Sequence, residues 1–157
     1  MSFVDQITRI FTLMQSHFRE ALLIIAILWV IQLVNAVLGY RLNVFGIYPR
    51  HASGLVGIPF FSCLHASFNH LFFNSIPLLI LLDFMLLRGI PAFTCATVFI
   101  VVCSGLLTWL FGRRGIHVGA STLVMGYWGY FLVNAYHHPS VLSIVLGVLC
   151  LYYLGGL

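Results

Sequence analysis

In "HASFNHLFFN", residues 65–74, His65, His70 and Asn74 open a run of Leu, Ile and Phe long enough to cross a bilayer. His70 and Asn74 are four residues apart, so a helix puts both on one face. Further on, "HVGAST" at 117–122 carries Ser121 beside the small residues Gly119 and Ala120. A hydroxyl, two imidazoles and a carboxamide can hydrogen-bond a substrate, and the small neighbours of Ser121 let a substrate backbone approach closely. Polar groups at membrane depth are costly unless partnered, which makes each a functional candidate. The same residues also have plainer readings. A membrane-helix serine can bond its own helix backbone, and His-x-x-x-Asn can act as helix-packing glue. No matching carboxylate or third close ligand accompanies the two histidines and the asparagine, so no metal site is indicated.

The elements that must hold these side chains follow from composition. The chain has 157 residues, 62% hydrophobic and 6% charged, with mean hydropathy +1.09. A soluble domain carries about 25% charged residues. A chain this apolar has the bilayer as its solvent. Backbone groups in lipid need internal partners, which favours helices, and the alternation expected of a barrel is absent. The fold class predicted is an all-α, polytopic helical bundle. Residues 1–20 read as an interfacial segment: Phe3, Ile7, Ile10, Met14 and Phe18 recur at helical spacing with polar residues between them. Residues 21–157 read as a transmembrane domain of five spans. These run from Ala21 to Leu38, His65 to Leu87, Pro91 to Phe111, Gly119 to Tyr136, and from after "HHPS" to the C-terminus. The first apolar run is too long for a signal-peptide core, so no cleavage is expected. Pro91 suits the first position of a new helix after the turn "RGIP".

Spans two and four run in the same direction, so their N-terminal ends share one side of the membrane. That places Ser121 at the level of His65, His70 and Asn74. The link between the first two spans, residues 39–64, is too long for an idle connection. Its "FGIYPRHASGLVGIPFF" is apolar and aromatic. It is expected to fold and dip into the interface, with Arg41 and Arg50 snorkelling. Asp83, near Arg88, reads as an interfacial anchor, His117 as shaping the loop before Ser121, and His137 and His138 as interfacial. Seven Arg and no Lys stand against three acids, net +4, without a basic patch for nucleic acid. With the N-terminus inside, three arginines face in and four out, which does not set orientation. Cys63, Cys95, Cys103 and Cys150 form no C-x-x-C pair and read as small hydrophobes. No cofactor is indicated.

Taken together, the chain resembles the rhomboid family of intramembrane serine proteases. The family carries H-x-x-x-x-H-x-x-x-N at the start of its second core helix, here His65, His70 and Asn74. It carries G-x-S at the start of its fourth, here Gly119, Ala120 and Ser121. Gly126, five positions after the serine, fits a small residue common there, and "GIYPR", "GLVGI" and "PFFSCLH" resemble a bacterial first loop. The resemblance runs from about residue 39 onward. It implies that Ser121 is the nucleophile, that His70 and Asn74 donate to the oxyanion with the Ser121 N–H, and that His65 and Gly119 support the site. It implies transmembrane proteins as substrates, the lipid bilayer as surroundings, no nucleic acid, and a multi-pass place in a bacterial inner membrane. Two departures stand out. Thr122 occupies a position where the family usually has Gly. The family's base, a His on a sixth core helix, has no counterpart in a sequence with five of the usual six spans. The expectation is therefore a domain truncated before its sixth helix, with the general base unknown and the 157-residue chain inactive by itself. The alternative is a non-catalytic rhomboid-like protein that binds transmembrane clients. A transporter or channel subunit would need charged residues along a central path, and only Asp83 lies deep in a span.

Overall fold

A computed structural model describes residues 3–137. Five helices follow one another: α1 (Phe3–Val37), α2 (Ala52–Leu55), α3 (Phe68–Leu86), α4 (Ile90–Phe111) and α5 (Ser121–His137). Short 3-10 turns at Arg41–Phe45 and Phe61–Cys63 lie in the α1–α3 connection. Among the described residues the only β pairing is a single antiparallel bridge between Ile47 and His117. Among the described residues, three segments are long and apolar enough to cross a membrane: His17–Val37, Phe68–Leu86 and Ile90–Phe111. The predicted fifth span lies outside the described residues. The fold is an all-helical membrane bundle, and the chain is an integral membrane protein.

The interfacial segment and the first span are one helix. α1 runs unbroken for 35 residues, about 52 Å at 1.5 Å per residue. No Gly or Pro interrupts 3–37, so nothing in the chain forces a break. Within it Ala21, Ile25, Leu28, Gln32 and Asn35 are buried and recur every three or four residues. This stripe faces α3, while Leu23, Ile27, Val30 and Leu33 on the other side are exposed to the bilayer. Trp29 Nε1 donates to Ser75 Oγ (3.1 Å), locking the register of α1 against α3.

α3 is the central post. Ser67 caps it by accepting the His70 N–H (3.1 Å). Its last turns, Leu81 to Leu86, are buried all round. Asp83 lies among them at 1% exposure, and among the described residues no hydrogen-bond partner reaches its carboxylate. This corrects the expectation of an interfacial anchor: α1 covers the position, bringing His17 and Glu20 into electrostatic range. After the turn at Gly89 (φ 91°), α4 begins at Ile90 with Pro91 in its first turn. α5 packs on both neighbours. Val124, Tyr127 and Phe131 are buried, the Tyr127 hydroxyl pairs with Thr97 of α4, and the close approach of Gly126 to Ile100 leaves no room for a Cβ.

The 39–64 connection is folded. α1 ends in a Schellman motif: Tyr40 N–H reaches Asn35 O (2.7 Å), Gly39 N–H reaches Ala36 O (3.0 Å), and Gly39 has φ 64°. Asn35, fully buried, then clamps the next turn. Its Oδ1 accepts from Leu42 N–H (3.1 Å) and its Nδ2 donates to Asn43 Oδ1 (2.9 Å). Arg50 does more than snorkel. Its Nη1 donates to Leu110 O (3.1 Å) and Gly112 O (3.0 Å), satisfying carbonyls at the end of α4. Trp109 Nε1 returns a bond to His51 O (2.8 Å). Gly57 lies so close to the Gly46 carbonyl that a Cβ would fall 2.3 Å from its oxygen.

Asn35→Ala removes both clamp bonds and leaves the part-buried Leu42 N–H without its acceptor. The expected cost is about 1–3 kcal/mol, with faster hydrogen exchange at the amides of residues 41–47. Unfolding titrations and exchange in detergent micelles measure both; unchanged exchange over 41–47 would show that the clamp does not hold the loop.

Candidate active site

The site forms where the N-terminal ends of α3 and α5 meet under the 39–64 connection. His65 lies in the irregular chain just before α3 and is completely buried. His70 is in the first turn of α3 and half-buried. The two rings meet edge to face, with centroids 5.2 Å apart. Asn74 follows one turn later on the face of His70. It is buried, and its Nδ2 has no hydrogen-bond partner among the described residues.

Residues 117–121 are fixed from three directions. His117 pairs with Ile47 through two backbone bonds (2.9 and 3.0 Å), and its Nε2 bonds Arg113 O (2.9 Å). His117 thus shapes the loop, as expected. Gly119 N–H donates to Phe61 O (2.8 Å). Ala120 N–H donates to His65 Nε2 (3.2 Å). Because Nε2 accepts, the neutral His65 ring carries its proton on Nδ1, which faces the Cys63 backbone outside full hydrogen-bond geometry. Gly119 adopts φ 131°, a region that L side chains rarely enter. A Cβ there would fall 2.6 Å from His70 Cε1 and 2.8 Å from His70 Nε2. Glycine is therefore required for the His70 ring to lie against this segment.

Ser121 is the first residue of α5 and is exposed. The opening N–H groups of a helix have no intrahelical acceptor, and they carry the positive end of its dipole. Ala120 O already accepts from Val124 N–H (2.9 Å), so the helix is formed from its first turn. An exposed hydroxyl and free amide donors stand here beside the His70 ring, and the unpartnered Asn74 carboxamide lies one turn further along α3. This is an arrangement able to hold an oxygen that gains negative charge. Sequence reasoning named His65, His70, Asn74, Gly119 and Ser121. It missed the Phe61 carbonyl and the Ile47–His117 pairing, because backbone bonds leave no residue-type signature. Among the described residues no histidine is hydrogen-bonded to Ser121, and no group of three His, Cys, Asp or Glu side chains could hold a metal.

Burial pushes the His65 pKa down to about 4, with the nearby His70 adding to the effect and the Cys63 backbone opposing it. The unfolded chain takes up this proton below about 6.5, and the folded chain does so only near 4. Between those values the unfolded state binds more protons, so this group's contribution is full above 6.5 and is lost as pH falls toward 4. His65→Ala strands the Ala120 N–H at a cost of about 1–3 kcal/mol and removes that slope. Unfolding free energies from pH 7 down to 4 test it; equal slopes in the two proteins would contradict the assignment.

A family model described as Rhomboid domain matches residues 52–156. An uncharacterized protein of Mycobacterium tuberculosis is 38% identical over 139 residues, covering 85% of this chain and 58% of the relative. An uncharacterized protein of Mycobacterium bovis matches to the same extent. One from Mycobacterium leprae is 33% identical over 114 residues, covering 69% of this chain and 45% of its own. The chain thus spans about half the length of these curated relatives. No solved structure gives a significant match. With a family match across 52–156 and a helical membrane bundle around it, the chain belongs to the rhomboid family.

Proposed function

We propose that this chain forms the core of an intramembrane serine endopeptidase that cuts transmembrane segments of other membrane proteins, as a multi-pass protein of a bacterial inner membrane. Ser121 Oγ attacks the scissile carbonyl carbon, a C–O bond forms, and the carbonyl electrons move onto oxygen. His70, Asn74 Nδ2 and the Ser121 N–H stabilise that oxygen. One preorganised donor of this kind is worth about 3 kcal/mol in the transition state. His65 and Gly119 are positioning residues: the first holds the Ala120 amide, the second makes room for the His70 ring. The observation that carries the reading is this convergence on the two residues before an exposed serine.

The hydroxyl proton must go to a base. The reading leaves that role to a histidine on a sixth helix, where the family resemblance puts it. Substrate segments that unwind easily suit the site, since a helix hides its carbonyls in its own hydrogen bonds.

A fluorophosphonate that reacts with activated serines tests the proposal, applied to the 157-residue chain, to a chain extended through a histidine-bearing sixth helix, and to Ser121→Ala of each. The extended chain is expected to label at Ser121. The 157-residue chain should label at least about 100-fold more slowly, the usual effect of losing a general base. Strong labelling of the short chain would place the base among its own residues, with His70 first to be tested. A well-folded extended chain that does not label would favour a non-catalytic client-binding role.

A further inference from the structure

The charges of this chain are sorted by end. Asp5, Arg9, Arg19 and Glu20 belong to the first half of α1, and Asp83 and Arg88 to the far end of α3. α1 and α3 run antiparallel, so these six residues share one end of the bundle, three acids against three arginines. The other four arginines, Arg41, Arg50, Arg113 and Arg114, lie at the Ser121 end. The backbone bonds of Ile47 to His117 and of Arg50 to Trp109 tie their segments together there. The entire net charge of +4 therefore sits at this end, and the sequence supplies it with no acidic residue.

Arg50 is committed to the end of α4. Arg41, Arg113 and Arg114 are exposed, and no acceptor among the described residues takes their guanidinium groups. Exposed apolar side chains flank them: Val44 at 69%, Phe45 at 50%, Val56 at 61% and Phe111 at 79%. Tyr48 and Trp109 lie in the same segments, as in the aromatic belt at a membrane–water boundary. An acidic soluble partner would account for the arginines but would leave this apolar surface unexplained. A phospholipid accounts for both, because it joins a phosphate and acyl chains in one molecule.

We propose that the Ser121 end of the bundle binds anionic phospholipid headgroups through Arg41, Arg113 and Arg114, with Val44, Phe45, Val56 and Phe111 seated among the upper acyl chains. Guanidinium groups match phosphate geometry bidentately. Each arginine held near an anionic leaflet contributes roughly a fivefold gain in association. The contact fixes the depth of Ser121 relative to the headgroups. It does not depend on Ser121 being a nucleophile.

The test uses the 157-residue chain in phosphatidylcholine vesicles doped with spin-labelled phosphatidylglycerol or spin-labelled phosphatidylcholine. The relative association of the two lipids is read from the motionally restricted fraction. The wild-type chain is expected to prefer the anionic lipid by about fivefold or more. Arg41→Gln/Arg113→Gln/Arg114→Gln should bring the ratio close to one, while Arg88→Gln at the opposite end should leave it unchanged. High salt should weaken the preference, and soluble inorganic phosphate should not displace the lipid at matched ionic strength. A wild-type ratio near one, or an equal preference in the triple variant, would overturn the proposal. Displacement by free phosphate would reassign the arginines to a general anion site and overturn the lipid assignment. If the triple variant fails to reconstitute, the salt series on the wild-type chain decides: a preference unmoved by salt overturns it.

Discussion

The hydrogen bond from the Ala120 amide to His65 Nε2 is the interaction on which the site depends. A membrane interior supplies little water to satisfy a stranded N–H. The chain must turn from an irregular loop into α5 immediately before Ser121, and that turn exposes amides. The Phe61 carbonyl takes one at Gly119 and His65 takes the next at Ala120. The amides left over are those beginning at Ser121, where a donor has a use. The accounting of backbone donors thus selects which N–H groups stay free for a ligand. It also explains why a histidine serves as the brace. A neutral imidazole can present an acceptor from inside a fully buried position without bringing a charge with it.

The 39–64 connection has the same logic on a larger scale. Asn35 holds its start, Arg50 and Trp109 hold its middle against α4, and Phe61 and His65 hold its end against α5. Each clamp satisfies a polar group that the bilayer would penalise. Together they make the segment part of the bundle and tie it to the residues just before Ser121, which holds the α3 and α5 ends in register.

Much of this was legible in the residues. The helical class followed from charge content, the α3–α4 turn from "RGIP", and the shared level of His65, His70 and Ser121 from the parity of the spans. Gly119 was readable as a close-approach position, though not what approached it. Three features were hidden. The continuity of α1 was obscured because residues 3–18 change composition without any helix breaker. The burial of Asp83 was obscured because a carboxylate near a span end ordinarily faces the headgroups; here α1 extends past the bilayer-length segment and covers it. The capping role of Arg50 was obscured because it joins residues 60 and 62 positions apart.

The position of Thr122 follows from the same packing. The family usually has Gly directly after the serine. A side chain can be accommodated here because the residue that must be small for His70 is Gly119, two positions before Ser121, not the residue after it. Successive residues at the start of a helix point about 100° apart, so the side chains of Ser121 and Thr122 leave α5 in different directions. Its Oγ1 is buried without a partner among the described residues. The substitution therefore adds bulk next to the serine in the first turn of α5. Geometrically it bears on what can lie along α5 next to Ser121, while the close approach of the His70 ring is provided for at Gly119.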